Sequence, residues 1–232
     1  IAELRSKIDE QLTPLSFLVG CKVSANVNLK FAKETASNMI GSIEGNDPVL
    51  KDEYIVVGAH FDHLGLGGSR SGSLDPDTLI IHNGADDNAS GTAGILELSY
   101  KLMSNRHLLK RSVLFVCFDA EEKGLLGSKY YVENPVRNIS NAAMMVNMDM
   151  IGRLNDNPVI LGGVGSSGNF ENIIADARNN HTLDVETNMG GMDFARSDHA
   201  SFYRENIPVL FFFTGAHEDY HKPTDDWDKI DY

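Results

Sequence analysis

The sequence predicts one α/β domain with a mixed, largely parallel central sheet and helices on both faces. Three apolar runs, YIVVGA, SVLFVCF and AAMMVNM, lack polar alternation, which is typical of strands buried on both sides. Segments with helical spacing of apolar residues lie between them. With 232 residues, 42% of them hydrophobic, the chain can bury a sizeable core. We therefore expect a single domain over residues 1–232, and the start at Ile1 favours a fragment lacking a signal peptide and possibly an upstream domain.

The N-terminal part is predicted to contain a helix, a hairpin and the first buried strand. Apolar residues recur at helical spacing over residues 2–12, and Pro14 ends that pattern. The segments CKVSANVNLKFAKE and ASNMIGSIEG alternate apolar and polar residues, as half-buried antiparallel strands do. This hairpin would make the sheet mixed. The buried strand is expected at residues 54–57.

The remaining elements alternate between helices and apolar strands. Residues 64–77 are rich in Gly, Ser and Asp and are expected to form a loop. Asn88 or Ser90 can cap a helix that runs through Leu102. Further strands are expected at SVLFVCF, AAMMVNM, PVILGG and IPVLFFFT, and further helices at residues 125–132, 170–178 and 197–203.

The charge balance restricts the possible partners. The chain has 20 basic and 33 acidic residues and a formal charge of −13, which argues against nucleic acid or an anionic membrane as partner. No run of 18 apolar residues occurs, so no membrane span is expected. Cys21 and Cys117 are expected to form no disulfide, because a lone cysteine in an apolar strand usually acts as a small hydrophobic residue.

Five short motifs rich in histidine and acidic residues carry the functional prediction: AHFDH, GADDNASG, DAEEKG, NMDMIG and DYHKPTDD. Three of them follow the three apolar strands. Ligands at strand ends converge only if these distant segments join one sheet. Imidazole and carboxylate together suit zinc. The set therefore predicts a centre for two metal ions.

The first motif offers two histidines. His60 ends a buried strand and is the strongest candidate ligand. Asp62 can orient it by accepting the second N–H of the imidazole. His63 competes for the ligand role, but its side chain would point the other way on an extended chain.

The next two motifs each contain two adjacent carboxylates, which is more than helix capping or an ordinary turn requires. One of Asp86 and Asp87 could span two cations, since Asn88 and Ser90 already provide the helix cap. If Glu122 binds a cation, Glu121 remains free to take a proton from water as general base.

The last two motifs complete the candidate ligands. Asp149 lies between Met148 and Met150, where an unpaired charge is unfavourable, so we favour ligation. His221 follows the last strand in a loop. His217, four residues earlier, is interpreted as a surface histidine.

With these five motifs in this order, the chain resembles the dizinc aminopeptidase family of secreted bacterial enzymes. These are leucine-aminopeptidase-like zinc exopeptidases related to glutaminyl cyclases and glutamate carboxypeptidase. The similarity runs from about Lys51 to the C-terminus. It implies the zinc exopeptidase fold, two Zn²⁺ ions, a peptide substrate cut at its N-terminal bond, and a periplasmic or extracellular location.

The resemblance also implies a ligand set. Asp87 would bridge the two ions, with Asp86 as the alternative if the alignment is shifted by one. His221 and Glu122 would complete one site. His60 and Asp149 would complete the other.

Further roles come from the same resemblance. Glu121 would be the general base for a water bound between the ions, and Asp62 would orient its neighbouring ligand. Tyr220 would donate a hydrogen bond to the oxyanion. The peptide bond after Asp87 would be cis, and the segment from Arg196 to Asp198 would lie near the substrate terminus.

Three other functions stay open at this point. A glutaminyl cyclase would use a single zinc ion. A carboxypeptidase would need a basic residue for the substrate carboxylate, for which Arg153, Arg196 and Arg204 are candidates. A homologue that binds without catalysis would be expected to lack ligands, and no ligand position is lost here.

Overall fold

The structure, a computed structural model, describes residues 2–17, 20–29, 33–154, 158–180, 184–187 and 194–231. It divides into two compact units, Ile1–Glu34 and Thr35–Tyr232. The first contains the expected helix, α1 (Ala2–Gln11). The prediction of a strand at residues 21–34 is wrong for the residues that the structure describes, because 21–29 and 33–34 form no strand. An alternating segment becomes a strand only where a partner strand pairs with it, and within the described part of the chain no strand pairs with these residues.

The second unit is built on one sheet whose described strands number seven. They are β1 (Met39–Ile43), β2 (Tyr54–His60), β3 (Ser112–Phe118), β4 (Ala142–Met148), β5 (Val159–Gly162), β6 (Val185–Glu186) and β7 (Val209–Phe213). Their order is β1-β3-β2-β4-β7-β5-β6. The central strands β3, β2, β4 and β7 are parallel, whereas β1 is antiparallel to β3 and β5 to β7. The mixed, largely parallel sheet is confirmed, although its antiparallel character does not come from a hairpin.

Helices cover both faces because successive strand residues point to opposite sides. The α-helices described in this unit are α2 (Gly91–Ser104), α3 (Leu126–Glu133), α4 (Phe170–Asn180) and α5 (His199–Arg204). On β3, Val116 packs with Tyr131 of α3 and Phe202 of α5. The preceding Phe115 packs with Ile95 of α2 on the other face. Among the described helices, none is long and apolar enough to cross a membrane.

The parallel strands bring four of the five motifs to one edge of the sheet. β2 ends at His60, β3 ends just before Asp119, and β4 ends just before Asp149. The segment with His221 follows β7. In open α/β sheets ligands bind at the carboxyl ends of the strands. The fold therefore places the motifs where a site is expected.

We expect Phe118→Ala to lower the free energy of unfolding by about 3–5 kcal/mol, because it leaves a cavity in the main core. Phe118 is fully buried, and its ring centroid lies 6.2 Å from that of Tyr131 and 6.0 Å from that of Phe202. Urea unfolding followed by circular dichroism measures the change. The matched control is Phe61→Ala, since Phe61 is 43% exposed. If Phe118→Ala lowers the free energy of unfolding no more than Phe61→Ala does, Phe118 does not pack in the main core.

Candidate metal centre

The first group of ligand atoms consists of His60, Asp87 and Asp149. Nε2 of His60 lies 3.3 Å from Oδ1 of Asp87 and 3.4 Å from Oδ1 of Asp149. His60 is buried at the end of β2, and Asp149 follows β4. The three side chains are close enough to surround one metal ion.

A second group shares Asp87. Nε2 of His221 lies 3.3 Å from Oδ2 of Asp87 and 3.4 Å from Oε2 of Glu122. The two carboxylate oxygens of Asp87 thus face different histidines. A carboxylate with this arrangement has the geometry to bridge two cations.

Asp86 contacts residues that belong to neither of these two groups of candidate ligands. Its Oδ1 accepts a 2.7 Å hydrogen bond from the Gly152 N–H, and its Oδ2 lies 3.2 Å from Nε2 of His217. The His217 side chain is only 14% exposed. The interpretation of His217 as a surface histidine is therefore wrong, because the loop after β7 turns it onto a buried carboxylate that needs a partner.

The turn that carries Asp87 is tied to the end of β4. The Asp87–Asn88 peptide bond is cis, as the resemblance implies. Nδ2 of Asn88 donates to the Met148 carbonyl at 3.0 Å, and Oδ1 accepts from the Gly91 N–H at 3.0 Å. A Cβ at Gly91 would lie 2.4 Å from Asn88 Oδ1 and 2.5 Å from the Met148 oxygen, so only glycine permits this approach. These contacts hold Asp87 beside Asp149.

His63 also lies in the site, contrary to the expectation from strand alternation. Its Nδ1 is 2.8 Å from Oε1 of Glu122 and 4.0 Å from Oδ2 of Asp87. The expectation is wrong because β2 ends at His60, so the extended alternation stops before His63. His63, Asp87 and Glu122 form another group that could hold a metal. Since 2.8 Å is a hydrogen-bond distance, we interpret His63 as the residue that orients Glu122.

Asp62 contacts two parts of the site. Nδ1 of His60 lies 3.1 Å from the Asp62 carbonyl oxygen and 3.7 Å from its Oδ1. The Asp62 carboxylate accepts the backbone N–H groups of Glu121 and Glu122 at 2.9 and 3.2 Å. Besides facing His60, as its predicted orienting role requires, Asp62 therefore binds the backbone at Glu121 and Glu122. No local sequence pattern reveals this second contact, because the two glutamates lie about sixty positions from Asp62.

The loop over residues 64–77 contributes to the site through its backbone. Nδ1 of His221 lies 2.9 Å from the Gly72 carbonyl oxygen, and the Leu74 N–H donates to the His221 carbonyl at 3.0 Å. A carbonyl only accepts, so Nδ1 carries the proton and Nε2 is left to face Asp87 and Glu122. The sequence left open whether this loop shapes the cleft or contacts a partner.

A cavity of about 130 Å³ opens at the site. The five predicted ligands, Glu121 and Tyr220 all line it, together with Met150, Arg196, Phe211, Phe213 and Ala216. Of the three arginines considered for a carboxylate, only Arg196 is on this surface. Arg153 is buried in ion pairs with Asp219 and Asp225, and Arg204 ends helix α5.

The electrostatics indicate a shortage of positive charge. Burial raises the pKa of Glu121 to about 9 and the pKa of Asp198 to about 7. Burial lowers the pKa of His60, but Asp149 and Asp87 outweigh it and bring that pKa well above its ordinary value. Carboxylates outnumber imidazoles in this buried space, which is unfavourable unless cations neutralise them. The donor set of imidazoles and carboxylates fits zinc.

Comparison with known proteins gives the family. Residues 38–232 match the family described as Peptidase family M28. Leucine aminopeptidase 2 of Arthroderma otae is 30% identical over 201 residues, which are 84% of this chain and 37% of that protein. Leupeptin-inactivating enzyme 1 of Streptomyces exfoliatus is 32% identical over 190 residues, 78% of this chain and 36% of that protein.

A solved structure agrees with this result. A zinc aminopeptidase from Bacillus subtilis superposes with a TM-score of 0.64 at 25% identity, covering 83% of this chain and 45% of that one. The chain spans less than half the length of these relatives. Because the match covers most of the chain and includes all five motifs, the chain belongs to peptidase family M28.

Proposed function

We propose that this chain carries the catalytic centre of a two-zinc aminopeptidase that removes the N-terminal residue of peptides. The observation that carries the proposal is the position of Asp87, whose two oxygens each face one histidine. A further carboxylate completes each group, Asp149 beside His60 and Glu122 beside His221. Relatives named as leucine and zinc aminopeptidases support the same reaction. A periplasmic or extracellular location is proposed on the resemblance alone.

The residues would divide into two sites. His60, Asp87 and Asp149 would hold one zinc ion, and Asp87, Glu122 and His221 the other. Bound zinc would supply the positive charge that polarises the scissile carbonyl and acidifies the attacking water. Asp62 and the Gly72 carbonyl fix the imidazole orientations, as hydrogen-bond partners of ligand histidines commonly do.

Glu121 is the proposed general base. It lines the cavity but belongs to neither ligand group, and Asp62 holds its backbone N–H. Burial raises the pKa of its carboxyl to about 9, and the positive charge of bound cations would lower that pKa. Glu121 would take the proton of the water that attacks the carbonyl carbon. It would then pass this proton to the nitrogen as the C–N bond breaks.

Tyr220 is the proposed donor to the oxyanion. Its ring stacks on that of His221, with centroids 3.9 Å apart and planes at 22°. Burial, reinforced by nearby carboxylates, raises the pKa of the Tyr220 hydroxyl, so this group keeps its proton and can donate a hydrogen bond. Among the described residues that line the cavity, Arg196 is the one that favours a carboxypeptidase instead.

The direct test is zinc analysis combined with assays of four substrates. We expect two zinc ions per chain after reconstitution, and release of p-nitroaniline from Leu-p-nitroanilide that a chelator abolishes and zinc restores. The matched control is N-acetyl-Leu-p-nitroanilide, which lacks the free amine and should not be cleaved. Cyclisation of a peptide with N-terminal Gln, or release of a C-terminal residue from an N-blocked peptide, would contradict the proposal.

A further inference from the structure

We propose that Arg153 and Asp225 act as positioning residues that set the distance between the ligands Asp87 and His221. These ligands lie on loops far apart in the sequence, yet both must face the same pair of ions. The inference rests on the proposed function, since it concerns the same metal centre.

Asp225 holds the backbone at the bridging ligand. Its side chain is buried, and its Oδ2 accepts the N–H groups of Asp86 at 2.9 Å and Asp87 at 3.0 Å. The Asp225 carbonyl also accepts the Ala85 N–H at 3.0 Å. Asp225 thus accepts three hydrogen bonds that fix the backbone conformation of this turn, and none of them occupies the Asp87 carboxylate, which remains available to a cation.

Arg153 holds the segment that carries His221. Its Nη1 donates to Oδ2 of Asp219 at 2.6 Å, and its Nη2 donates to Oδ1 of Asp225. Asp219 lies two residues before His221, and Asp225 lies four residues after it. One guanidinium therefore anchors both ends of this segment. Through Asp225 it is also connected to the backbone of Asp87.

The chemistry of the cluster suits a positioning role. A guanidinium is planar and presents its donors in a rigid arrangement, so it defines the separation of two carboxylates more strictly than an ammonium would. Buried ion pairs contribute little net stability, and their best attested use is to specify geometry. Neither Arg153 nor Asp225 lines the cavity. Their influence on the ligands is transmitted through the backbone.

The test is Asp225→Asn in the full chain, with zinc as the probe. An amide has a single acceptor atom, so it cannot serve both Arg153 and the N–H groups of Asp86 and Asp87. We expect zinc affinity in at least one site to fall by about tenfold or more in competition with a chelating dye. The visible absorption spectrum of the Co²⁺-loaded protein should change as well. Both measurements report the metal centre without depending on catalysis.

Asp226→Asn is the matched control, because it makes the same charge change one residue later. Its carboxylate accepts a hydrogen bond from Asn83 and holds no ligand backbone, so zinc affinity and the Co²⁺ spectrum should match those of the wild type. If Asp225→Asn does not fold, Arg153→Lys is the alternative variant, since lysine keeps the positive charge but lacks the rigid, planar set of N–H donors. The same loss of affinity is expected.

The outcomes separate the two proposals. Two tightly bound zinc ions in the wild type, with unchanged affinity and Co²⁺ spectrum in the folded variant, would overturn the positioning role and leave the proposed function intact. Fewer than two zinc ions in the wild type would overturn both.

Discussion

Glu121→Gln is expected to lower kcat by at least about a hundredfold while both zinc ions remain bound. Glutamine preserves the size of the side chain, but its amide cannot take a proton from water. Glu121 lines the cavity and belongs to neither ligand group, so the metal centre should persist. The measurements are kcat with Leu-p-nitroanilide and the zinc content of the same sample.

Two controls make this result specific. Glu97→Gln changes an exposed glutamate on α2 and should leave kcat unchanged. Glu122→Gln changes the adjacent residue, whose Oε2 lies 3.4 Å from His221, and should instead weaken zinc binding. Activity near that of the wild type in Glu121→Gln would exclude Glu121 as the base. Loss of zinc from that variant would make Glu121 a ligand.

Asp87→Asn is expected to have the second large effect, a loss of zinc affinity of more than about a hundredfold. Loss of an outer hydrogen-bond partner of a ligand already costs about 10–100-fold. Asp87 is itself a candidate ligand, and it is shared by the group around His60 and the group around His221. An amide presents a single, uncharged acceptor oxygen in place of two charged ones. Titration with zinc against a chelating dye measures the loss.

The same substitution at the neighbouring residue, Asp86→Asn, decides which of the two aspartates bridges the metal ions. Asp86 bonds the Gly152 N–H and faces His217, so its replacement should keep zinc but lower the free energy of unfolding by about 1–3 kcal/mol. The reverse pattern, with zinc lost only in Asp86→Asn, would show that the assignment is shifted by one residue.

Much of the site could be predicted because its residues follow elements with clear sequence patterns. The runs SVLFVCF and AAMMVNM form β3 and β4 over the predicted residues, and the strand from Tyr54 extends to His60. Parallel strands end at one edge of a sheet, so side chains that follow them must meet there. The five predicted ligands do lie together. Their roles in binding zinc stay predictions.

The supporting contacts could not be predicted, because they run between backbone and side chains far apart in the sequence. Nothing local indicates that Asp62 holds the Glu121 N–H, that Gly72 accepts from His221, or that Arg153 reaches Asp225. Strand periodicity also misjudged His63, because it applies only while the chain stays extended.

The sequence by itself therefore determined the family, the largely parallel sheet and the candidate ligands, since these depend on patterns within short segments. Only the tertiary structure decided which oxygen of Asp87 faces which histidine, and that His63 and His217 turn inward. Those features depend on where strands end and on how separate loops meet. The physical reason is that buried charges must find partners, and the partners available are known only once the chain has folded.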